Sequence, residues 1–161
     1  MKQLTLALLL VAGFASCDKE EAPATNNNPD NNSNLSSQGK LLVAGKWLMS
    51  ANTATGIYMG KDTTVDYYID MDACDKDDFI LFATDGTGTI DESANKCSGD
   101  NQVENFKWAL LNNDTRLALV DSNPDTFDVV EITTTQLKFK ITENNSSGVP
   151  ITEVITYKNI K

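Results

Sequence analysis

The chain has 161 residues and a formal net charge of −10, from 13 basic and 23 acidic side chains. This length is typical of one domain, and the acidic balance excludes nucleic acid as a partner because it repels the phosphate backbone. The chain has no histidine, which removes the commonest general base and most zinc or copper sites. We therefore expect neither a catalytic site nor a cofactor.

The N-terminal residues 1–16 are predicted to be a signal peptide. They begin with Lys2, continue with an apolar run over residues 4–14 and end in small residues before Cys17. This layout is typical of secretion, and the run is too short to span a bilayer permanently. The sequence FASC resembles a bacterial lipobox, which implies that Cys17 is acylated and holds the protein on a membrane. An ordinary signal peptide with an incidental cysteine is the alternative.

Residues 17–39 are predicted to be a lipidated cysteine followed by a disordered tether. Leu35 is the single large apolar residue between Asp18 and Gln38, so this segment cannot bury enough surface to offset its ordering entropy. Its start, CDKEE, resembles the acidic surface-export signal of Bacteroidetes lipoproteins, although a solvated linker explains the same residues equally well. We expect an outer-membrane lipoprotein of the cell envelope, with surface exposure left open.

Residues 40–161 are predicted to form one β domain. A helical turn over residues 38–43 precedes a first strand at residues 47–51, and a loop is predicted over residues 56–63. The next strand, residues 63–70, places Val65, Tyr67 and Ile69 on one face. Further strands are predicted at residues 79–83, 89–91, 103–111, 116–120, 126–132, 137–142 and 151–157.

About eight short strands at a spacing of roughly ten residues are typical of an all-β sandwich or barrel. Because sequential hairpins favour a meander, we predict an up-and-down antiparallel β-barrel, which leaves room for packed side chains or one small ligand. The adjacent Val129 and Val130 break the two-residue period. They indicate a bulge, or a strand that is covered on both faces.

The two remaining cysteines, Cys74 and Cys97, flank a predicted hairpin with Asp85-Gly86 at its turn. An exported protein folds in an oxidising compartment, so a disulfide is the first interpretation. Two arms of similar length bring both cysteines to the open end of that hairpin. A metal site lacks further soft ligands, and a redox pair lacks the Cys-x-x-Cys spacing.

An ordered set of residues resembles the lipocalin-like lipoproteins of Bacteroidetes. The set consists of Gly45-Lys46-Trp47, Cys74-Asp75-Lys76-Asp77-Asp78, Phe82, Asp85-Gly86-Thr87, Cys97, Trp108 and the strand around Leu117. The resemblance covers residues 40–161 and implies a lipocalin-like, calycin-type barrel. The Thr-Asp-Tyr motif and the terminal arginine of lipocalins are missing. The resemblance therefore implies a fold and a location more than a reaction.

Three groups of residues are candidate sites. The first group is aromatic and forms either the core or the lining of a ligand cavity; its members are Trp47, Tyr67, Phe79, Phe106, Trp108 and Phe139. The second is acidic and holds either calcium or only solvent; its members are Asp70, Asp72, Asp75, Asp77 and Asp78. The third, for a carboxylate-based hydrolase, is Asp66, Asp70 and Glu104.

The sequence as a whole favours a non-catalytic binding module. We expect either a small apolar or amphipathic ligand in the barrel mouth, or a protein or glycan partner at the outer loops. The alternatives are an interaction protein with a filled barrel and, less favoured, the hydrolase. An apolar cavity of a few hundred Å³ distinguishes ligand binding from a filled barrel.

Overall fold

The computed structural model describes residues 35–120 and 125–161, which form a sheet of antiparallel strands closed into a barrel. The predicted signal peptide, Cys17 and most of the tether lie outside the described residues. The helices are α1 (Ser37–Ala44) and α2 (Tyr67–Asp70). The strands are β1 (Trp47–Tyr58), β2 (Lys61–Asp66), β3 (Phe79–Phe82), β4 (Thr87–Asp91), β5 (Val103–Leu111), β6 (Arg116–Val120), β7 (Asp125–Ile132), β8 (Gln136–Asn144) and β9 (Pro150–Asn159). Within the described part, neither helix is long and apolar enough to cross a membrane.

The strands follow the order β2-β1-β3-β4-β5-β6-β7-β8-β9, and a further pairing of β1 with β9 closes the barrel. Eight of these strands form the closed ring and β2 is an extra strand. Every pairing is antiparallel, and all join strands that are neighbours in sequence except β1 with β3, which skips β2, and the closing pair β1 with β9. This is an up-and-down arrangement. The predicted all-β, lipocalin-like barrel is confirmed.

The extra strand β2 lies on the same edge of β1 as β3 does. Only Trp47 and Leu48 of β1 pair with β3, whereas β1 pairs with β2 from Thr53 to Tyr58. The two strands therefore occupy successive parts of one edge. The connection between them, residues 67–78, leaves the wall and contains α2. Between the pairings with β3 and with β2, residues 49–52 of β1 have no strand partner on this edge, and α2 packs against β1.

One end of the barrel is closed by α1. The Ser36 hydroxyl accepts a hydrogen bond from the Gly39 backbone N–H at 2.9 Å and caps the helix, as serine commonly does. Leu42 of α1 is fully buried, and its carbonyl oxygen accepts a hydrogen bond of 2.8 Å from the Trp47 indole. A side chain at Gly45 would overlap the Trp47 ring. These contacts fix the helix across the end at which β1 begins.

The other end of the barrel, which we call the mouth, is formed by the ends of β1, β2, β8 and β9. Gly56 of β1 pairs with Ile151 of β9, and Asn144 of β8 pairs with Pro150 of β9. The β1–β2 turn and the β8–β9 loop therefore lie at the same end. Since β3 runs from Leu48 towards the closed end, residues 67–78 lie on the mouth side of β3, as does the β4–β5 connection, residues 92–102.

Apolar side chains fill the half of the barrel nearest α1. The buried cluster consists of Leu42, Trp47, Phe82, Phe106, Trp108, Leu117, Ile132, Leu137 and Phe139. Phe82 packs edge to face against Phe106 and Trp108, with ring centroids 5.6 and 5.5 Å apart. The Trp108 indole N–H lies within 2.9 Å of the Thr87 carbonyl oxygen. This half therefore has its polar ring atoms paired and its interior packed.

Two local predictions are wrong. The loop predicted over residues 56–63 is the hairpin of β1 and β2, in which Met59 and Gly60 both have positive φ angles of 49° and 75°. Such a two-residue turn matches the twist of the strands it joins. The strand predicted over residues 63–70 ends at Asp66, because the Asp66 carboxylate accepts hydrogen bonds from the N–H groups of Tyr68 and Ile69 and begins α2.

Two other local predictions are confirmed. The helical turn predicted over residues 38–43 lies within α1. The break in alternation at Val129 and Val130 is a bulge, since the register of β7 against β8 shifts between Val129 and Glu131. A second shift lies in β1 between Met49 and Ala51. Both bulges raise the local twist that closing a barrel requires.

Candidate functional site

An apolar pocket of about 410 Å³ lies at the mouth. This volume is within the range of sites that hold small molecules. Four elements contribute to it: β1, β2, the first residue of α2, and the β8–β9 hairpin. The lining residues are Ala54, Gly56, Ile57, Tyr58, Thr63, Val65, Tyr67, Asn145 and Ile151.

The strand register shows that this pocket lies on the inner face of the wall. Residues directly opposite each other in an antiparallel pair share a face, and alternate residues along a strand do so too. Leu137 is buried in the core and pairs with Tyr157, and the alternate positions of β9 from Tyr157 lead to Ile151. Ile151 pairs with Gly56 of β1. The pocket therefore continues the interior of the barrel beyond its packed half.

The six aromatic candidates divide between the core and the pocket. Five are buried, with at most 8% of each side chain exposed, and these are Trp47, Phe79, Phe106, Trp108 and Phe139. Tyr67 is 43% exposed and lines the pocket. The alternation of apolar residues in the sequence indicated the five buried residues. Tyr67 reaches the pocket only because α2 turns the chain after β2. The residues of the pocket other than Tyr67 were missed by sequence reasoning.

A disulfide joins the two connections at the mouth. Cys74, in residues 67–78, is bonded to Cys97, in residues 92–102, with their Cα atoms 5.2 Å apart. The Asp77 carboxylate accepts a hydrogen bond of 3.1 Å from the Asn95 N–H and links the same two segments. The Glu92 carboxylate accepts one of 3.0 Å from the Cys97 N–H. The predicted disulfide is confirmed, and it links residues 67–78 covalently to residues 92–102 on the mouth side of β3.

The acidic candidates for calcium lie near this disulfide and do not form a shared ligand set. Within the described residues, two groupings bring three metal-type ligand atoms together: Cys74, Asp75 and Cys97, and Glu92, Cys97 and Asp100. Both include Cys97, whose sulfur is already in the disulfide. Asp70 is exposed at the end of α2. The geometry thus places no set of five carboxylates around one point.

Asp78 is the most perturbed carboxyl of this region. The pKa of Asp78 is raised to about 7. Burial is the largest cause, and the negative charges of Glu92, Asp75, Asp77 and Asp100 are the further causes. Its Oδ1 atom is buried without a hydrogen-bond partner. Asp78 is therefore protonated in the folded protein at mildly acidic pH, where an aspartate with an ordinary pKa is ionised.

We expect the protein to lose stability as the pH rises from about 4 to about 7. Asp78 has a higher pKa in the folded than in the unfolded chain, so its contribution is complete below about pH 4 and is lost as the pH passes through 7. After allowance for solvent screening, the loss in the free energy of unfolding is about 1 kcal/mol. Urea unfolding at several pH values measures it.

The substitution Asp78→Asn should flatten this dependence. Asp85 serves as an internal contrast, because hydrogen bonds from Thr87 lower the pKa of Asp85 and its contribution is lost only as the pH falls below about 4. The two pH windows do not overlap. A slope that persists unchanged in the Asp78→Asn protein would contradict the assignment.

The carboxylates considered for hydrolysis have other roles or positions. Asp66 caps α2 through the Tyr68 and Ile69 N–H groups. Asp70 ends the same helix, and Glu104 is exposed on β5 opposite Ile90 of β4. These positions do not bring the three carboxylates together in one cleft, so they do not support the hydrolase hypothesis.

The comparisons with known proteins agree with the barrel. The family model described as a lipocalin-like domain matches residues 43–139, which is more than half of the chain. The matched part begins in α1 and ends in β8, so it contains Gly45, Trp47 and the disulfide. A comparison with curated proteins found no match. On the strength of this coverage and of the closed barrel, the chain belongs to the family of lipocalin-like domains.

Proposed function

We propose that this protein is a non-catalytic binding module that takes a small apolar or amphipathic molecule into the pocket at the barrel mouth. The observation that carries the proposal is the contrast between the two halves of the barrel. The half near α1 is filled by the buried cluster, whereas the mouth holds an apolar cavity of about 410 Å³. An apolar surface that faces water in this way favours the binding of apolar molecules, because binding removes apolar surface from water.

Filling the pocket with a side chain should abolish binding. Val65 lines the pocket and is 42% exposed, so a tryptophan there can enter the pocket without displacing the packed core. We expect Val65→Trp to weaken binding of the neutral dye N-phenylnaphthylamine at least about tenfold, since each tenfold change needs only ~1.4 kcal/mol. Fluorescence titration of the purified, delipidated protein measures this.

The matched control is Thr64→Trp. Thr64 precedes Val65 on the same strand, is exposed and faces away from the pocket, where its hydroxyl contacts that of Thr55 on the outer face. This variant should bind the dye as the native protein does. Equal losses in both variants would point to unfolding, and thermal melts identify that case. Failure of the native protein to bind any apolar probe would favour the alternative of an interaction protein with a filled barrel.

We propose further that the domain is held at the cell envelope by acylation of Cys17. The lipobox resemblance and the apolar run before it support this proposal, and a multiply acylated cysteine binds a membrane stably. Cys17→Ala should release the protein into the soluble fraction, as measured by fractionating cells that produce the full-length chain. Unchanged retention in the membrane fraction would count against acylation. Accessibility to added protease then distinguishes the outer surface from the inner leaflet.

A further inference from the structure

Two hydrogen-bond acceptors that are not themselves part of the pocket lining lie next to its inner end. Ala54 lines the pocket and pairs directly with Glu153 of β9. Side chains that oppose each other in this way have Cβ atoms about 5 Å apart. Because Glu153 lies two residues from Ile151 and four from Tyr157, its side chain shares the inner face with both. Glu153 is only partly exposed.

A second acceptor lies beside it. Asn52 of β1 pairs with Ile155 of β9, so its side chain also belongs to the inner face, two residues from Ala54. The Oδ1 atom of Asn52 is buried without a hydrogen-bond partner. An unpaired buried acceptor is costly in a folded protein, so a ligand that brings a donor to Asn52 Oδ1 would remove that cost.

Electrostatics at the mouth favour a positive ligand. On the inner face of β1, β2, β8 and β9, the carboxylates are Glu143 and Glu153. The cation on this face is Lys61, which pairs with Tyr58 next to the β1–β2 turn. Across the barrel, Glu104 lies two residues before the buried Phe106 and so faces inward. The negative potential of Glu153 also reaches the interior, where it adds to the burial that raises the pKa of Tyr157.

From these observations we propose that the ligand of the pocket is an apolar molecule bearing an ammonium or guanidinium group, with its apolar body against Val65 and Ile151 and its cation on the Glu153 carboxylate and Asn52 Oδ1. This inference rests on the proposed function and names the ligand class of the same site. Charge-assisted hydrogen bonds to a carboxylate are shorter and stronger than neutral ones, particularly where water is excluded. The apolar lining supplies affinity and the two acceptors supply the choice of head group.

The test compares three probes with the same alkyl chain: dodecylamine, which is an ammonium ion at neutral pH, neutral dodecanol and anionic dodecanoate. Each is titrated below its micellar concentration as a competitor of the neutral dye, in salt at about 0.15 M to screen remote charges. We expect dodecylamine to bind about tenfold more tightly than dodecanol, and dodecanoate to bind least. Glu153→Gln should bring the affinity for dodecylamine close to that for dodecanol while leaving dodecanol unchanged.

Asp85→Asn is the control for net charge. Asp85 is exposed in the turn between β3 and β4 at the closed end of the barrel, and asparagine keeps an acceptor for the Thr87 N–H, so this substitution removes the same charge far from the pocket. It should not alter the preference for dodecylamine. The inference would be overturned if all three probes bound equally, or if Glu153→Gln left the preference for dodecylamine unchanged in a protein that melts normally. Either result would leave the proposed function of the pocket intact. Binding of no probe would overturn the proposed function and the inference together.

Discussion

Replacing Trp47 with alanine is expected to lower the free energy of unfolding by about 4 kcal/mol, the range for a large buried aromatic residue. Trp47 is fully buried at the junction of α1, β1 and β3, and its indole N–H donates to the Leu42 carbonyl at 2.8 Å. The substitution therefore empties the space under α1 and breaks a link between helix and barrel. A loss of this size is a large part of the 5–15 kcal/mol that stabilises a typical domain. Urea unfolding monitored by far-ultraviolet circular dichroism measures it.

Trp47→Phe separates the two contributions. It keeps an aromatic ring against the core and removes the hydrogen bond to Leu42, so we expect it to cost roughly half as much as Trp47→Ala. An alanine variant that loses less than about 1.5 kcal/mol would show that α1 does not depend on this contact, because truncating a large buried aromatic residue costs about 3–5 kcal/mol. In that case the packing of the helix would have to come from its apolar residues Leu41, Leu42 and Val43.

Removing the disulfide is expected to lower the free energy of unfolding by about 3 kcal/mol. The bond joins Cys74 to Cys97 across a sequence separation of 23, and without it the unfolded chain regains the conformational entropy of that loop. The double variant Cys74→Ala, Cys97→Ala should unfold at a correspondingly lower urea concentration. The Asp77–Asn95 hydrogen bond remains as a side-chain link between the two connections. Hydrogen exchange should then increase in residues 67–78 and 92–102 more than in β8 and β9.

The native protein treated with a reductant is the control for this experiment. Its stability should match that of the double variant, since both lack the same covalent bond. Unreduced native protein that yields two free thiols by mass spectrometry would contradict the disulfide itself. A double variant as stable as the native protein would instead show that the unfolded chain is already constrained in this region.

Much of the barrel was predictable because most of its strands alternate between core and solvent. In β8, Leu137 and Phe139 are buried and Lys138 lies between them, so the sequence alone indicates both the strand and its inner face. Gly45, in contrast, is indicated only by the family resemblance. The structure supplies the physical reason, which is that the indole ring covers Gly45 and leaves no room for a side chain there.

The pocket was not predictable, because it depends on how far each strand extends. The β1–β2 turn is Met59-Gly60 rather than Asn-Gly, the usual signal of a positive φ angle, so the hairpin reads as a loop. Asp66 lies in a run of strand-forming residues, yet its carboxylate caps α2. One signal was available: Glu153 falls on the apolar side of the alternation of Ile151, Ile155 and Tyr157. A carboxylate at such a position indicates a polar site within the barrel.

The position of α1 has a consequence for how the domain would stand on a membrane. Leu35, where the described chain begins, packs against the core at the end closed by α1, opposite the mouth. A lipid on Cys17, as proposed, would thus be joined through residues 18–34 to the end of the barrel opposite the mouth. The chain that comes from the anchor would enter the domain at its closed end, so that its attachment point leaves the mouth unobstructed.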